Sequence, residues 1–344
     1  MRYLIIILIF ILAQNVYAEN SAEADSLAKE AISLMNRQEF KKAIGLLEQS
    51  IEIDSASIVY PYELALCYYK LEKYEKAISL LEPLKDHPDS YEQIYQIIGN
   101  SYDFLAMKTD AIKTYIQGLE KFPNSGRLHM ELGIAELGRD NDNLAIQYFE
   151  KGINVDPEYP NNYYRLANYY EENELYVFAY FYTEYFLNYT KNQNKFREMT
   201  KKIAVFFNKF VKYENGSFDV VKKNVESSSL LRPFENKTEK VINELFTQKI
   251  ENFSIQEIYK IRSRFLKYWN EDNYSRKYYL GLFSYHDQLK KEGLFEAYNY
   301  WLMTDYNIDE FKMWFQGNHK QYDKILKWLR QNKLSTENLV KYIK

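Results

Sequence analysis

Apolar positions between residues 24 and 193 recur at helical spacing in paired blocks, and the pairs repeat along the chain. Small residues mark the repeat: Ala43, Ala77, Ala111, Ala145 and Ala179 stand 34 residues apart, and isoleucine follows four of them at Ile44, Ile78, Ile112 and Ile146. With each alanine set at position 20, five units run from residue 24 to 193 without insertion. Position 8 then holds Ala31, Ala65, Gly99, Gly133 and Ala167, and position 7 holds Leu64, Ile98, Leu132 and Leu166, with Glu30 the departure in the first unit. Position 24 holds Leu47, Leu81, Tyr115, Phe149 and Thr183, of which Thr183 is the weak member. Small residues at two positions let paired helices approach closely while the large one fills the space beside them. Pro123 and Pro157 at position 32 end the second helix, and Pro88 sits one residue early. The pattern predicts five helical hairpins in an all-α chain.

Beyond Asn194 the period is lost but helical spacing persists. Ile203, Phe206, Phe207 and Phe210 share one face, predicting a capping helix over 194–213. Asn215, Gly216, the serines at 227 to 229 and Pro233 mark 214–236 as a linker or loop. An aromatic-rich helical region is expected over 237–344: Ser254 with Glu257 forms a capping box ahead of Ile258, Ile261, Phe265 and Trp269. Residues from Tyr278 to Met303 read as a decayed hairpin with its turn one residue shorter, followed by helical stretches at Phe311–Phe315 and Tyr322–Leu329 and a short helix from about Thr336.

Period and key positions together resemble the tetratricopeptide repeat (TPR) family over about half the chain. The resemblance implies a right-handed superhelical solenoid of five such hairpins, continued by irregular or degenerate ones, and five units exceed the roughly three that stacking requires. It also implies a concave binding face lined by positions 2, 5, 9, 12 and 13. Carried over, these give candidate partner-binding residues Tyr62 and Tyr69 in unit two, Gln96, Asn100 and Asp103 in unit three, Arg127 in unit four, and Asn161, Tyr164 and Asn168 in unit five. The expected groove is mostly uncharged. Asn100 and Asn168 stand out because an amide both donates and accepts, so it can hold an extended peptide's backbone. The lysine, arginine and asparagine of the family's carboxylate clamp are replaced by Ala28, Ile32, Glu63, Gln93 and Ile97, so a C-terminal chaperone tail is not the expected ligand.

Composition narrows the function classes. A net charge of -3 and the lack of a long basic run argue against nucleic acid and anionic membrane surfaces. Arg2, the apolar run Leu4–Ala13 and the Val16-Tyr17-Ala18 ending read as a signal peptide over 1–18, leaving Glu19 first in an exported chain that keeps no stable membrane insertion. The aromatic tail resembles that of Gram-negative envelope proteins, which points to the periplasm or envelope. The only cysteine, Cys67, has no intramolecular partner and reads as a small buried side chain. His87, His129, His286 and His319 form no metal-type pair, and no GxGxxG, GxxxxGK[ST] or GxSxG occurs, so neither a metal, a cofactor nor a catalytic site is expected. His286-Asp287 is the only adjacent imidazole and acid, and neighbours on a helix point apart. The functional expectation is a non-enzymatic adaptor that takes a peptide segment or helix of another envelope protein in its groove. The alternative is a glycan or peptidoglycan module using Trp269, Trp301, Trp314 and Trp328, whose helical spacing otherwise suits a core.

Overall fold

The computed structural model describes residues 21–221, 231–277 and 280–339. The expected signal peptide and the serines at 227 to 229 lie outside the described residues. The chain forms two compact units that divide between Ala145 and Ile146.

The first unit contains α1 (21–36), α2 (Phe40–Ile53), α3 (Val59–Lys70), α4 (Tyr74–Leu81), a 3-10 turn (Glu82–Asp86), α5 (Glu92–Phe104), α6 (Lys108–Lys121) and α7 (Gly126–Leu137). Helix α8 (Asp142–Val155) begins just before the division. The second unit continues with α9 (Asn161–Glu172), α10 (Tyr176–Tyr189), α11 (Gln193–Phe210), β1 (Val211–Glu214), β2 (Ser217–Val220), α12 (Leu231–Leu245), α13 (Ile255–Glu271), α14 (Tyr274–Lys277), α15 (Gly281–Lys291), α16 (Phe295–Leu302) and α17 (Ile308–Gln331).

The key alanines are at most 1% exposed, and the large side chains Leu47, Leu81, Tyr115 and Phe149 beside them are likewise buried. Gly99 shows why position 8 is small: a Cβ there would come within 2.2 Å of the Tyr115 ring. The period reaches the turns as well. Gln38, Glu72, Ala106, Asp140 and Glu174, again 34 apart, all adopt left-handed φ between 56° and 63°. Each closes its first helix in the same way; the Glu72 amide donates to the Tyr69 carbonyl at 3.0 Å and the Lys73 amide to the Tyr68 carbonyl at 2.9 Å. This Schellman closure satisfies helix-end carbonyls that would otherwise lack donors.

In the second unit α10 is buried on every side from Val177 to Leu187, as a helix apolar all round must be. Thr183, the weak packing position, is fully buried there. The stretch expected to be a loop over 214–236 is ordered otherwise at both ends. β1 and β2 pair antiparallel with Tyr213 opposite Phe218, and α12 starts at Leu231. Their two-residue turn, Asn215 (φ 51°) and Gly216 (φ 85°), has the paired positive φ of a type I′ hairpin. Asn243 of α12 accepts from the Phe218 amide and donates to the Phe218 carbonyl, both at 2.8 Å, so the helix covers the open strand edge.

The capping box at Ser254 and Glu257 forms in both halves, and the Glu310 carboxylate of α17 accepts two more α13 amides, from Ile255 at 3.0 Å and Gln256 at 2.9 Å. The decayed hairpin is α15–α16, and its turn is not shortened. Gly293 (φ 68°) and Leu294 repeat the closure of the regular repeats, donating to the carbonyls of Lys290 at 3.1 Å and Leu289 at 2.8 Å. Helix α17 breaks at Asn318, where φ is -127° and ψ 21°. Among the described residues, no helix is long and apolar enough to cross a membrane.

Candidate functional site

In the first unit the expected groove residues lie on α3, α5 and α7, the first helices of successive hairpins. Arg127 of α7 reaches α5, with Nε 3.3 Å from Glu92 Oε1 and Nη1 donating to Gln96 Oε1 at 3.0 Å. Gln96 in turn donates from Nε2 to Glu131 Oε1 at 2.5 Å. Asn100 accepts from the buried Tyr115 hydroxyl at 2.5 Å and also hydrogen-bonds Tyr69. Tyr69 meets Tyr74 and Phe104 edge-on, with ring centroids 5.7 and 5.9 Å apart, while Phe104 stacks flat on Tyr74 at 4.9 Å and remains 62% exposed. Tyr62 packs edge-on against Tyr91 at 5.1 Å. Asp103 is exposed beside Phe104. The structure therefore joins Gln96 to Arg127 and Tyr69 to Asn100, and it surrounds them with aromatic rings.

This face is not mostly uncharged. Glu92 and Glu131 join Arg127 and Asp103, and burial pushes the nearby Glu63 carboxyl above its ordinary range. Glu63, Glu92 and Glu131 occupy repeat positions 1 and 6, which the five carried-over positions omit. Reading every polar position of the first helices, rather than five fixed ones, takes them in.

In the second unit Asn161, Tyr164 and Asn168 lie on α9, and α11 places a partner 34 residues later against each. Lys195 donates to Asn161 Oδ1 at 3.2 Å and lies 4.2 Å from the Tyr164 ring centre. The Tyr164 hydroxyl donates to Glu198 at 3.1 Å, and Lys202 lies 3.5 Å from Asn168 Oδ1. Lys202 also pairs with Glu171 at 2.7 Å and Glu198 at 3.3 Å. Partial burial pushes its ammonium down, but these carboxylates hold it above the usual range. The acceptor oxygens on this stretch are thus already bonded within the chain, so α11 stacks on α9 in the manner of a further first helix although its sequence has lost the period.

A third cluster was invisible in the sequence. Glu184, Arg262 and His286 meet in the core of the second unit, 0%, 7% and 4% exposed. Arg262 Nη2 lies 2.5 Å from Glu184 Oε1 and 2.9 Å from His286 Nε2, and His286 Nε2 lies 2.6 Å from the same carboxylate oxygen. Tyr298 donates to that oxygen at 2.9 Å, and Arg262 Nη1 donates to Asn299 Oδ1 at 2.8 Å. Burial alone would raise the Glu184 carboxyl, but Arg262 and His286 bring it down to about 2. Burial holds the His286 imidazole below its usual range. The adjoining space, walled by Phe181, Phe207, Phe265 and Phe283, is about 30 Å³, room for about one water and not for a substrate. His286 thus turns away from Asp287, its sequence neighbour, toward a carboxylate 102 positions earlier. Among the described residues, no group of three or more His, Cys, Asp or Glu could hold a metal ion.

One tryptophan serves the core, and the other three are half-buried against neighbouring rings. Trp269 is fully buried; Trp314 stacks on Tyr300 at 4.3 Å, Trp328 packs on Tyr285 at 4.9 Å and Trp301 on Phe196 at 5.5 Å. Cys67 is buried, and its thiol is pushed up to about 11 by burial and by Glu63.

Residues 9–84 match the family described as anaphase-promoting complex, cyclosome, subunit 3. With hairpins, buried alanines and left-handed turns all keeping one 34-residue period, the sequence and the geometry agree. The repeat is of the tetratricopeptide type. The TPR fold is similar to that of PilF from Pseudomonas aeruginosa, at 16% identity over 56% of this chain and 87% of that one, TM-score 0.44. It is also similar to a thermophilic TPR protein of Thermus thermophilus (15% identity, 54% and 98% covered, TM-score 0.45) and to MamA (19% identity, 48% and 96% covered, TM-score 0.37). Among curated proteins, no sequence matches the chain.

Proposed function

We propose that this TPR chain is an exported adaptor that holds a peptide segment or helix of another cell-envelope protein on the first helices of its N-terminal repeats. The observation that carries the reading is the ledge of Tyr69, Tyr74 and Phe104, exposed at Phe104 and bordered by Asp103 and the Glu92–Arg127–Gln96–Glu131 chain. A ring exposed beside fixed polar groups offers an anchor for an apolar side chain together with backbone and charge contacts, and stacked helices keep the surface formed before the ligand arrives.

Export rests on the Arg2-to-Ala18 pattern, and placement in the periplasm or envelope follows from it. N-terminal sequencing of the protein recovered from fractionated cells should read from Glu19; recovery from the cytoplasm with Met1 in place refutes this part. For binding, the mature chain and a Phe104→Ala/Asp103→Lys variant are used to capture envelope proteins side by side. These two residues are exposed, so the variant should fold. A protein retained by the wild type and lost by the variant supports the reading, and an identical catch by both refutes it. With all four tryptophans packed on other rings or buried, glycan binding has no observation in its favour over this one.

A further inference from the structure

Basic side chains separated in sequence converge on one side of the second unit. A cleft of about 680 Å³ lies among α13, α14 and α15, and a second of about 330 Å³ runs along α13; Lys267 and Lys290 line both, so the two adjoin. Lys260, Arg264 and Lys267 stand at i, i+4 and i+7 on one face of α13, Lys290 and Lys291 form the last turn of α15, and Arg276 comes from α14. Among the described lining residues two acids face these six cations, and both are engaged. Glu271 lies 3.7 Å from Lys267, and Asp287 accepts two bonds of 2.9 Å from Asn270. Lys290 is fixed by donating to the Ser263 carbonyl at 2.9 Å. Partial burial holds its ammonium below the usual range; Asp287 opposes this and the charge of Lys267 adds to it. In a chain of net charge -3 this is a strong local reversal of sign.

We propose that this cleft is a docking track for an acidic peptide segment. From Lys260 to Lys267 the cations span about 10 Å of helix, and Arg276 extends the row. An extended peptide presents same-side carboxylates about 7 Å apart, which such a row meets at successive points. Arg264 and Arg276 can each hold a carboxylate through two parallel N–H donors. A concave track suits a chain better than a flat lipid surface. Among the described residues that line it, the one tyrosine, Tyr259, packs against Phe295 instead of offering the free aromatic platform that single-stranded nucleic acid uses. The proposal is independent of the groove on the N-terminal repeats.

The test uses the full mature chain and a fluorescein-labelled octaglutamate peptide, followed by fluorescence anisotropy at low and at elevated NaCl. The variants are Arg264→Gln/Lys267→Gln/Arg276→Gln in the cleft and Lys320→Gln/Lys324→Gln on the exposed side of α17, each checked for helicity by circular dichroism. Saturable binding to the wild type is expected. It should weaken more than about tenfold in the cleft variant and on raising salt, and be unchanged in the α17 and Phe104→Ala variants. The proposal is overturned if octaglutamate fails to bind at low salt, if the α17 variant weakens binding equally, or if inorganic polyphosphate binds the cleft while octaglutamate does not.

Discussion

Replacing Arg262 by methionine should destabilise the second unit sharply, and the size of the effect follows from the geometry. Glu184 is 0% exposed, and its carboxyl sits at about 2 instead of the ordinary 4.5, so its ionised form is favoured by roughly 3 kcal/mol on folding. Removing the guanidinium leaves that charge buried beside His286 and strands Asn299 Oδ1, which places the loss at about 3–5 kcal/mol. A Glu184→Leu/Arg262→Met double variant should regain most of this, because two apolar side chains replace two desolvated charges and Tyr298 keeps its bond from Asn188. Tryptophan emission during urea unfolding is a suitable assay, since all four tryptophans lie in the second unit.

The pH dependence has a definite sign. Glu184 is depressed in the folded state, so its stabilisation is complete above 4.5 and is lost as pH falls toward about 2. His286 is held below 6.5 by burial, so the unfolded chain takes up a proton that the folded chain excludes, and stability declines as pH falls below 6.5. Stability should be level near pH 7–8 in this respect, decline below 6.5 and decline more steeply below 4.5. In Arg262→Met the steeper part should flatten. A cost below about 1 kcal/mol for the single variant, or a double variant no better than the single, would refute this account of the cluster.

Three further outcomes follow from the same packing. Gly99→Ala forces a Cβ to within 2.2 Å of the Tyr115 ring and should cost about 1–3 kcal/mol in denaturant titrations followed by circular dichroism, where an unchanged midpoint would contradict the close-approach argument. Gly216→Ala keeps open space around the new methyl but must hold φ near 85°, so a loss of about 1 kcal/mol is expected from the backbone alone, read from the tryptophan transition. Cys67, buried and with its thiol near 11, should react with a thiol reagent only at the rate of unfolding; fast labelling of the native protein would show that the site opens.

The repeat was legible because packing writes itself into sequence at fixed intervals: a buried alanine tolerates no larger side chain, and five stand 34 residues apart. The turns were less visible, since left-handed φ falls on Gln38, Glu72, Ala106, Asp140 and Glu174, where no glycine announces it. The β-hairpin did have a signal. Asn215-Gly216 between alternating residues is a strong hairpin mark, but with helical patterns on both sides the pair reads equally as a break between helices. The Glu184–Arg262–His286 cluster had none, because its members lie 24 to 102 positions apart on α10, α13 and α15. The basic cleft escaped for a related reason: overall charge and contiguous runs say nothing about lysines and arginines gathered from three helices. Of the candidate groove, the residues were readable from repeat position, but their engagement was not. That Lys195, Glu198 and Lys202 would meet α9 depends on α11 continuing the stack after the pattern had faded.

The central claim is that the ledge around Phe104 is a working surface for another protein. Site-specific photocrosslinking tests it most directly, with a benzophenone amino acid placed in living cells at Phe104 on α5 and, for comparison, at the exposed Ile116 on α6. The account predicts a discrete protein adduct from position 104 and none from position 116. No adduct at 104, or the same adduct from both positions, would contradict it.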